Sequence, residues 1–269
     1  DLPFLSDIGI RSADIADGRL GAVVHLAETC GAAAEALVAN TPIFLGKRRH
    51  VLRGETLCAE SLVSPATSFC PCCLAEDDAG GKGRIGRMPW SLGFYQTCHL
   101  HTVPMIRRGS GSWHDRLSEL SRVAPERGAT LRALAGPDRD PSPLQHYLVG
   151  RLEGRSGMPW LDGQTVEQAW TATRLIGVLA AFGPEARPGD FSDAEFSRAD
   201  LAGFAITSQG SQAVRETLLD LRRAFRSDGS CPGQKKVFGY FWETVSRGRR
   251  GKDIGPIRDI LRDVIFDTF

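Results

Sequence analysis

Two short motifs, Cys70-Pro-Cys-Cys73 and Cys98-His-Leu-His101, decide how this sequence is interpreted. They form a C-x-x-C pair, an intervening segment of 24 residues from Leu74 to Thr97, and a C-x-x-H pair. Cysteine thiolates and a histidine nitrogen, held on two tight turns, are the ligands of a tetrahedral zinc site. Because structural zinc modules fold together with their metal, the spacing predicts one structural zinc ion in this stretch.

Two neighbouring side chains, Cys72 and His99, could compete for the metal. Adjacent cysteines do not form a relaxed chelate, whereas residues three apart do, so the spacing favours the other members of each pair. The predicted ligands are Cys70, Cys73, Cys98 and His101. A closed set of three cysteines and one histidine leaves no open coordination position for water, which argues against a catalytic zinc. The sequence also lacks the G-x-S-x-G, H-E-x-x-H and P-loop motifs, so no enzyme is predicted.

Composition places the chain among ordinary globular proteins. Of 269 residues, 42% are hydrophobic and 24% are charged, which is typical of a water-soluble protein. The formal net charge of +1 gives no overall field that would favour nucleic acid, so any such contact must depend on local patches. No apolar run approaches the ~20 residues of a membrane span and no signal peptide opens the chain, so a cytoplasmic location is expected.

The seven cysteines also bear on the redox chemistry of the protein. An odd number, with four in the zinc stretch, argues against a disulfide framework. The three remote cysteines are predicted to be buried small hydrophobic residues. They are Cys30, Cys58 and Cys231.

The pattern of apolar residues and helix caps predicts a mainly α-helical fold, with helical-hairpin or helix-turn-helix elements around a small zinc-ribbon-like module. Gly18–Glu28 and Ala32–Val38 have helical spacing with a break at Cys30-Gly31, which resembles a helix-turn-helix. The second helix has no Lys or Arg, so a plain helical hairpin is favoured. Farther on, helices are predicted at Pro143–Leu152, at Val166–Phe182 after an N-cap at Thr165, after a capping box at Ser192–Glu195, at Val237–Ser246 and at Ile257–Phe266.

Three segments are predicted: a helical, helix-turn-helix-like segment at 1–45, a zinc-binding module at 46–109 and a C-terminal helical domain at 110–269. The chain begins with Asp1 and ends just after the apolar run Val264-Ile265-Phe266. A core-type helix is an unusual natural end, so we expect a fragment of a longer protein.

Basic residues suggest where phosphate could be contacted. The glycine-rich insert between the motifs carries Lys82, Arg84 and Arg87, and a second cluster peaks at Arg247-Gly-Arg-Arg-Gly-Lys252. From Arg222 to Arg262 there are eleven Lys or Arg against four Asp or Glu. The predicted nucleic-acid contacts are Lys82, Arg84, Arg87, Lys235, Lys236, Arg247, Arg249, Arg250 and Lys252. A plain solvated loop is the alternative for both regions, and the acidic run Glu76-Asp77-Asp78 is interpreted as a solvated turn.

Three stretches together resemble the TniQ family: Phe69-Cys-Pro-Cys-Cys-Leu-Ala-Glu-Asp77, Arg87-Met-Pro-Trp90, and Cys98-His-Leu-His-Thr-Val-Pro-Met-Ile106. The family pattern is C-P-x-C-L-A-E-D, then an Arg and a Trp, then C-x-x-H-x-x-x-L. Parts of 159–183 and 257–262 are similar to the helical remainder of these proteins. The insert before Arg87 looks longer than usual, and the opening helix of the family is missing.

This resemblance implies a mainly helical, zinc-containing protein that selects target sites for transposition. It places the metal ligands at Cys70, Cys73, Cys98 and His101. The implied partners are double-stranded DNA, an AAA+ ATPase, a transposase and, in some members, a CRISPR effector complex; a homodimer is left open. The implied location is the prokaryotic cytoplasm, in association with the nucleoid. The alternatives are a protein-interaction scaffold or regulator-like module that barely touches DNA and, least favoured, a zinc-dependent nuclease.

Overall fold

A computed structural model describes residues 2–63, 67–81, 83–108, 120–226, 233–247 and 254–266. The chain divides into two compact units, Asp1–Pro141 and Ser142–Phe269. Helices dominate the described residues, and their strands form one three-stranded and one two-stranded sheet. The predicted mainly α-helical class is therefore confirmed, while the division into three segments stays a prediction. No helix in these ranges combines the length and the apolar character needed to cross a bilayer.

The first unit opens with short helices: α1 Leu2–Asp7, α2 Ser12–Ala16, α3 Leu20–Thr29 and α4 Ala34–Ala39. The turn between α3 and α4 contains Gly31 at φ 65°, a left-handed conformation that glycine adopts without strain. Val23 and Ala27 bury one face of α3. A helical hairpin is present at its predicted position, and its second helix, α4, is only six residues long.

A three-stranded antiparallel meander follows, although the sequence predicts no strands here. Its strands are β1 Ile43–Gly46, β2 Arg49–Leu52 and β3 Glu55–Cys58, in the order β1-β2-β3. The basic residues Lys47 and Arg48 form the first reversal at φ 48° and 63°, and Arg53 and Gly54 form the second at φ 51° and 84°. Positive φ at both central residues is the type I′ geometry that matches the twist of a hairpin. The basic run therefore belongs to a sheet and its turns.

The zinc stretch is built around one helix and one short ladder. Strand β4 Ser68–Phe69 leads into α5 Pro71–Gly80, and β5 Ile106–Arg107 pairs antiparallel with β4. Trp90, Phe94 and Tyr95 are each no more than 2% exposed, as expected for the apolar core beneath a metal site. Helices α6 Leu120–Val123 and α7 Gly128–Ala133 complete this unit. Helix α7 packs closely on α5, because a Cβ on Gly128 would lie 3.3 Å from the carbonyl oxygen of Ala75.

The second unit is helical throughout its described residues: α8 Pro143–Leu152, α9 Pro159–Asp162, α10 Val166–Phe182, α11 Asp193–Thr207, α12 Ser211–Arg226, α13 Gln234–Arg247 and α14 Ile257–Phe266. Capping boxes begin two of these helices. Thr165 and Gln168 cap α10, and Ser192 and Glu195 cap α11, so both predicted helix starts are confirmed. Each box satisfies two backbone N–H groups that have no partner within the helix.

Helices α10 and α11 cross at glycines. A Cβ on Gly177 would overlap the backbone of Ala199, and a Cβ on Gly203 would overlap that of Thr173. The two backbones can touch only because neither position carries a side chain. The bidentate pair between Arg174 and Asp200, at 2.6–2.8 Å, lies beside this crossing.

The apolar core of this unit joins α10 to α12, α13 and α14. Its buried members include Ile176, Leu218, Phe238 and Leu261. Gly239 interrupts α13 at φ 49° and ψ −127°, a conformation that side chains rarely adopt. A Cβ there would also overlap the carbonyl group of Pro184. Only glycine fits this break, which sets the direction of the second half of α13.

Candidate metal centre

Helix α5 positions the first pair of predicted ligands. Cys70 is its N-cap, and the Cys70 Sγ accepts the backbone N–H of Cys73 at 3.5 Å. Pro71 occupies the first helical position, where its missing N–H and fixed φ are tolerated. Thiolates at this end of a helix are favoured by the partial positive charge of the unpaired N–H groups. The local sequence thus places two sulfur atoms at the electropositive start of one helix.

A tight turn positions the second pair. The N–H of Cys98 donates to the carbonyl of Val103 at 2.9 Å, and the N–H of Thr102 donates back to the carbonyl of Cys98 at 2.8 Å. Thr102 has φ 52°, which lets the chain reverse within the turn. Strand β4 precedes the first motif, strand β5 follows the second, and the two strands pair with each other. That ladder brings the start of the first motif and the end of the second together.

The four predicted ligands meet in one cluster whose donor atoms all lie within 4.8 Å of one another. The Nδ1 of His101 lies 3.3 Å from Sγ of Cys73 and 3.6 Å from Sγ of both Cys70 and Cys98. The Sγ atoms of Cys73 and Cys98 are 3.8 Å apart. Zinc bonds of ~2.3 Å to sulfur and ~2.0 Å to nitrogen give tetrahedral edges of about 3.8 Å and 3.5 Å. The cluster therefore has the size and the donor chemistry of one zinc site.

The protonation behaviour of the three thiols favours a cation among them. Hydrogen bonds with Cys70 and Cys98, together with burial, raise the pKa of Cys73 far above the usual range of a thiol. Hydrogen bonds from Cys70 and Cys73 lower the pKa of Cys98. Burial and the mutual hydrogen bonds of the thiols thus oppose the ionisation of all three together. Ionising all three at neutral pH requires a compensating positive charge, which zinc supplies when bound.

The structure separates the competing side chains from this cluster. The cluster contains neither Cys72, which is half-buried, nor His99. The ring of His99 instead lies with Nδ1 2.7 Å from the hydroxyl of Tyr95. Among the remote cysteines, Cys30 is exposed and Cys58 is half-buried, so their predicted burial is wrong for Cys30 and incomplete for Cys58. Cys30 follows α3 directly at the turn into α4, where its side chain reaches solvent; Cys231 lies outside the described residues.

The prediction of a solvated turn at Glu76-Asp77-Asp78 is wrong. This acidic run is the second half of α5, and each carboxylate has a partner from another segment. Asp77 accepts two bonds from Arg87 at 2.9 and 3.1 Å, and Asp78 accepts two from Arg84 at 2.7 and 2.8 Å. Glu76 lies 2.9 Å from Nε2 of His101. The C-P-x-C-L-A-E-D motif could have indicated a structural role for these carboxylates, because its acidic positions lie on the helix that carries Cys73.

The predicted phosphate contacts of the insert have internal partners instead. The side chain of Arg84 is only 10% exposed, and its guanidinium also donates to the backbone carbonyls of Ala124 and Glu126. The guanidinium of Arg87 lies 5.0 Å from the ring centre of Trp90. Hydrogen bonds with Asp78 raise the pKa of Arg84. Both arginines hold the insert against α5, while Lys82 lies outside the described residues.

The C-terminal basic residues are described only in part. Lys235 and Lys236 are exposed near the start of α13, and Lys235 pairs with Glu243 at 2.6 Å. Arg247 is the last residue of that helix. Arg249, Arg250 and Lys252 lie outside the described residues. A contact between this region and phosphate stays a prediction.

Comparison with known proteins gives one family match. Residues 4–105 match the family model TniQ, which covers the helical hairpin, the meander and all four clustered ligands. Proteins of that family are associated with the selection of target sites in transposition, in which they are non-catalytic accessory proteins. The match does not include 159–183 or 257–262, so the similarity expected there stays a prediction. No curated protein and no solved structure matches the chain.

Proposed function

We propose that this chain, whose residues 4–105 match the TniQ family model, is a zinc-containing, non-catalytic adaptor for transposition. It links a chosen DNA site, or a complex bound to that site, to an AAA+ ATPase and a transposase. An RNA-guided CRISPR complex is one form that the target-bound complex can take. The observation that carries the proposal is the Cys70, Cys73, Cys98 and His101 cluster inside the matched region.

The geometry of the cluster supports a structural zinc. Three of its four side chains are buried and the fourth, His101, is partly covered. The cluster supplies four protein ligands, so zinc bound there would be fully coordinated and would keep no water to activate. This centre would serve to fix the relative positions of β4, α5 and β5. Their outer surfaces are then available to partners.

Direct contact with DNA is assigned to the second unit. Lys235 and Lys236 project from the start of α13, and the basic sequence Arg247–Lys252 follows the same helix. Lys82 is kept as a contact from the first unit. Arg84 and Arg87 are not assigned as phosphate contacts, since their guanidinium groups pair with carboxylates of α5. Their part in this proposal is to hold the insert in place. Non-specific phosphate contact of this kind would support, and not replace, recognition by a partner complex.

The pairing of these arginines favours a second candidate, a protein-interaction scaffold with little affinity for DNA. Asp78 and Asp77 neutralise Arg84 and Arg87, and Glu243 partly neutralises Lys235. Three of the predicted contacts within the described residues therefore already have anionic partners, and the net charge of +1 adds no overall attraction to a duplex. In this alternative the protein reaches its target site through another protein.

Two measurements test the proposal. Elemental analysis of purified protein should give about one zinc per chain, and Cys73→Ser should lose it. Transposition reconstituted with the ATPase and transposase of the same element should reach its target site only when this protein is added. Product at random sites in both conditions would refute the targeting role.

The DNA contact is tested by a salt titration of duplex binding. Lys235→Gln combined with Lys236→Gln should reduce the slope of log K against log salt by about 0.9 for each lost contact. Arg223→Gln is the matched control, since Arg223 is 73% exposed on α12 and pairs with Asp220. Equal slopes for wild type, double variant and control would favour the scaffold, and so would absence of duplex binding at low salt.

A further inference from the structure

His101 presents its two ring nitrogens to different surroundings. Nδ1 lies 3.3–3.6 Å from the three cysteine Sγ atoms, and Nε2 lies 2.9 Å from Oε1 of Glu76. A nitrogen that binds a metal cannot carry a proton, so the other nitrogen carries it and donates a hydrogen bond. The carboxylate of Glu76 accepts that bond. The arrangement therefore selects one tautomer, with Nδ1 free to bind metal.

Glu76 is carried by the same helix that carries the first ligand pair. Cys73 and Glu76 are three residues apart on α5, so they lie on the same face of the helix. Cys70 is the N-cap, three residues earlier. One helix thus supplies two thiolates and the carboxylate that meets His101. The ring of the fourth ligand is oriented by the element that holds the first two.

We propose that Glu76 is a positioning residue for the metal centre, which holds His101 with Nδ1 facing the ion and makes that nitrogen a better ligand. The inference rests on the proposed zinc site and adds a residue that the ligand spacing does not reveal. Carboxylates behind metal-bound histidines typically contribute about 10–100-fold in metal affinity. The side chain of Glu76 is 61% exposed, so competition with water weakens its hydrogen bond to His101. We therefore expect an effect near the lower end, about tenfold.

The test is competition for zinc between the purified protein and a chromophoric chelator. Glu76→Ala should raise the zinc Kd about tenfold, and Glu76→Gln, which keeps an acceptor oxygen but no charge, should raise it less. Glu60→Gln is the control, because Glu60 belongs to the same unit, is 55% exposed and pairs with Arg48 at 3.0 Å. The zinc Kd of the control should equal that of wild type.

A spectroscopic measurement separates positioning from simple support of the fold. Cobalt(II) in the site reports the strength of its ligands through visible absorption, so Glu76→Ala and Glu76→Gln should shift these bands. A contact that only ties the turn to α5 would change unfolding temperature and leave the cobalt spectrum unchanged. Unchanged zinc affinity and cobalt spectrum in both variants would overturn this inference and leave the proposed adaptor intact. Wild-type protein without zinc would overturn the proposed function and, with it, this inference.

Discussion

The crossing of α10 and α11 gives a quantitative prediction about Gly203. Replacing it with alanine adds a Cβ that would lie 2.9 Å from the carbonyl carbon of Thr173 and 3.0 Å from the backbone nitrogen of Gly177, with the Thr173 oxygen closer still. These neighbours are backbone atoms of a packed helix, so the two helices must separate. The apolar contacts on either side of the crossing are then weakened.

The size of the effect follows from two opposing contributions. Alanine favours a helix over glycine by about 1 kcal/mol. Overpacking of a close interface costs typically ~1–3 kcal/mol and more where backbone must move, and a gap of ~1 Å forfeits up to half of the dispersion energy of each neighbouring contact. Because the overlap is with backbone atoms, we expect an overpacking cost at the upper end of that range and a net destabilisation of about 2 kcal/mol, which for a unit of this size lowers Tm by roughly 8 °C.

The assay is thermal and denaturant unfolding of Gly203→Ala beside Gly150→Ala. Gly150 also lies in a helix, but the atoms nearest its added Cβ belong to the Arg155 side chain, at 3.0 Å. That side chain is 67% exposed and can move aside, so the control should be neutral or slightly stabilised. Gly203→Ala protein as stable as the control would refute the reasoning that backbone contact fixes the crossing.

Three further predictions concern other parts of the molecule. Removal of zinc by a strong chelator should speed amide hydrogen exchange in residues 67–81 and 83–108 and leave α10 protected, as measured by mass spectrometry; equal protection in both regions would contradict a structural role for the metal. Arg222→Ala should lower the unfolding free energy by about 1 kcal/mol, because Arg222 donates to the carbonyls of Val264 and Ile265 at the end of α14; Arg223→Ala, an exposed neighbour, should not. Burial would raise the pKa of Asp162, but the N–H groups of Gly157 and Met158 and the hydroxyl of Tyr147 outweigh it, so this pKa is lowered. The stabilisation that ionised Asp162 gives to the folded state is thus fully present above the unfolded pKa and is lost as pH falls through the folded pKa. In acid titrations followed by circular dichroism, Asp162→Asn should therefore lose less stability than wild type between about pH 5 and pH 2.

The helices and the clustering of Cys70, Cys73, Cys98 and His101 could be predicted because their signals are local. Thr165 and Ser192 begin helices through bonds to residues three positions away, and two i, i+3 pairs identify the four side chains of the Cys/His cluster. Both patterns are complete within a few residues of sequence. Long-range information was needed only to bring the two ligand pairs together.

The meander and the acidic run could not be predicted because their signals are not local. Lys47 and Arg48 adopt positive φ although turns of that type favour asparagine and glycine, so their hairpin had no turn signature. Asp77 and Asp78 look like solvated charges until the fold brings Arg87 and Arg84 beside them. The exposure of Cys30 likewise depends on how α3 and α4 meet.

The two arginine pairs have a consequence for the cost of assembling the metal site. Joining the ends of a flexible segment as long as Leu74–Thr97 requires a loss of chain entropy on the order of 3 kcal/mol. Arg84 and Arg87 fasten this segment to α5, and the β4–β5 ladder closes it at the base. Part of that entropic cost is therefore offset by protein contacts and not by the ion alone. Affinity for the metal then depends on residues that never touch it, and a change at Asp77 or Asp78 would weaken binding while every ligand stays in place.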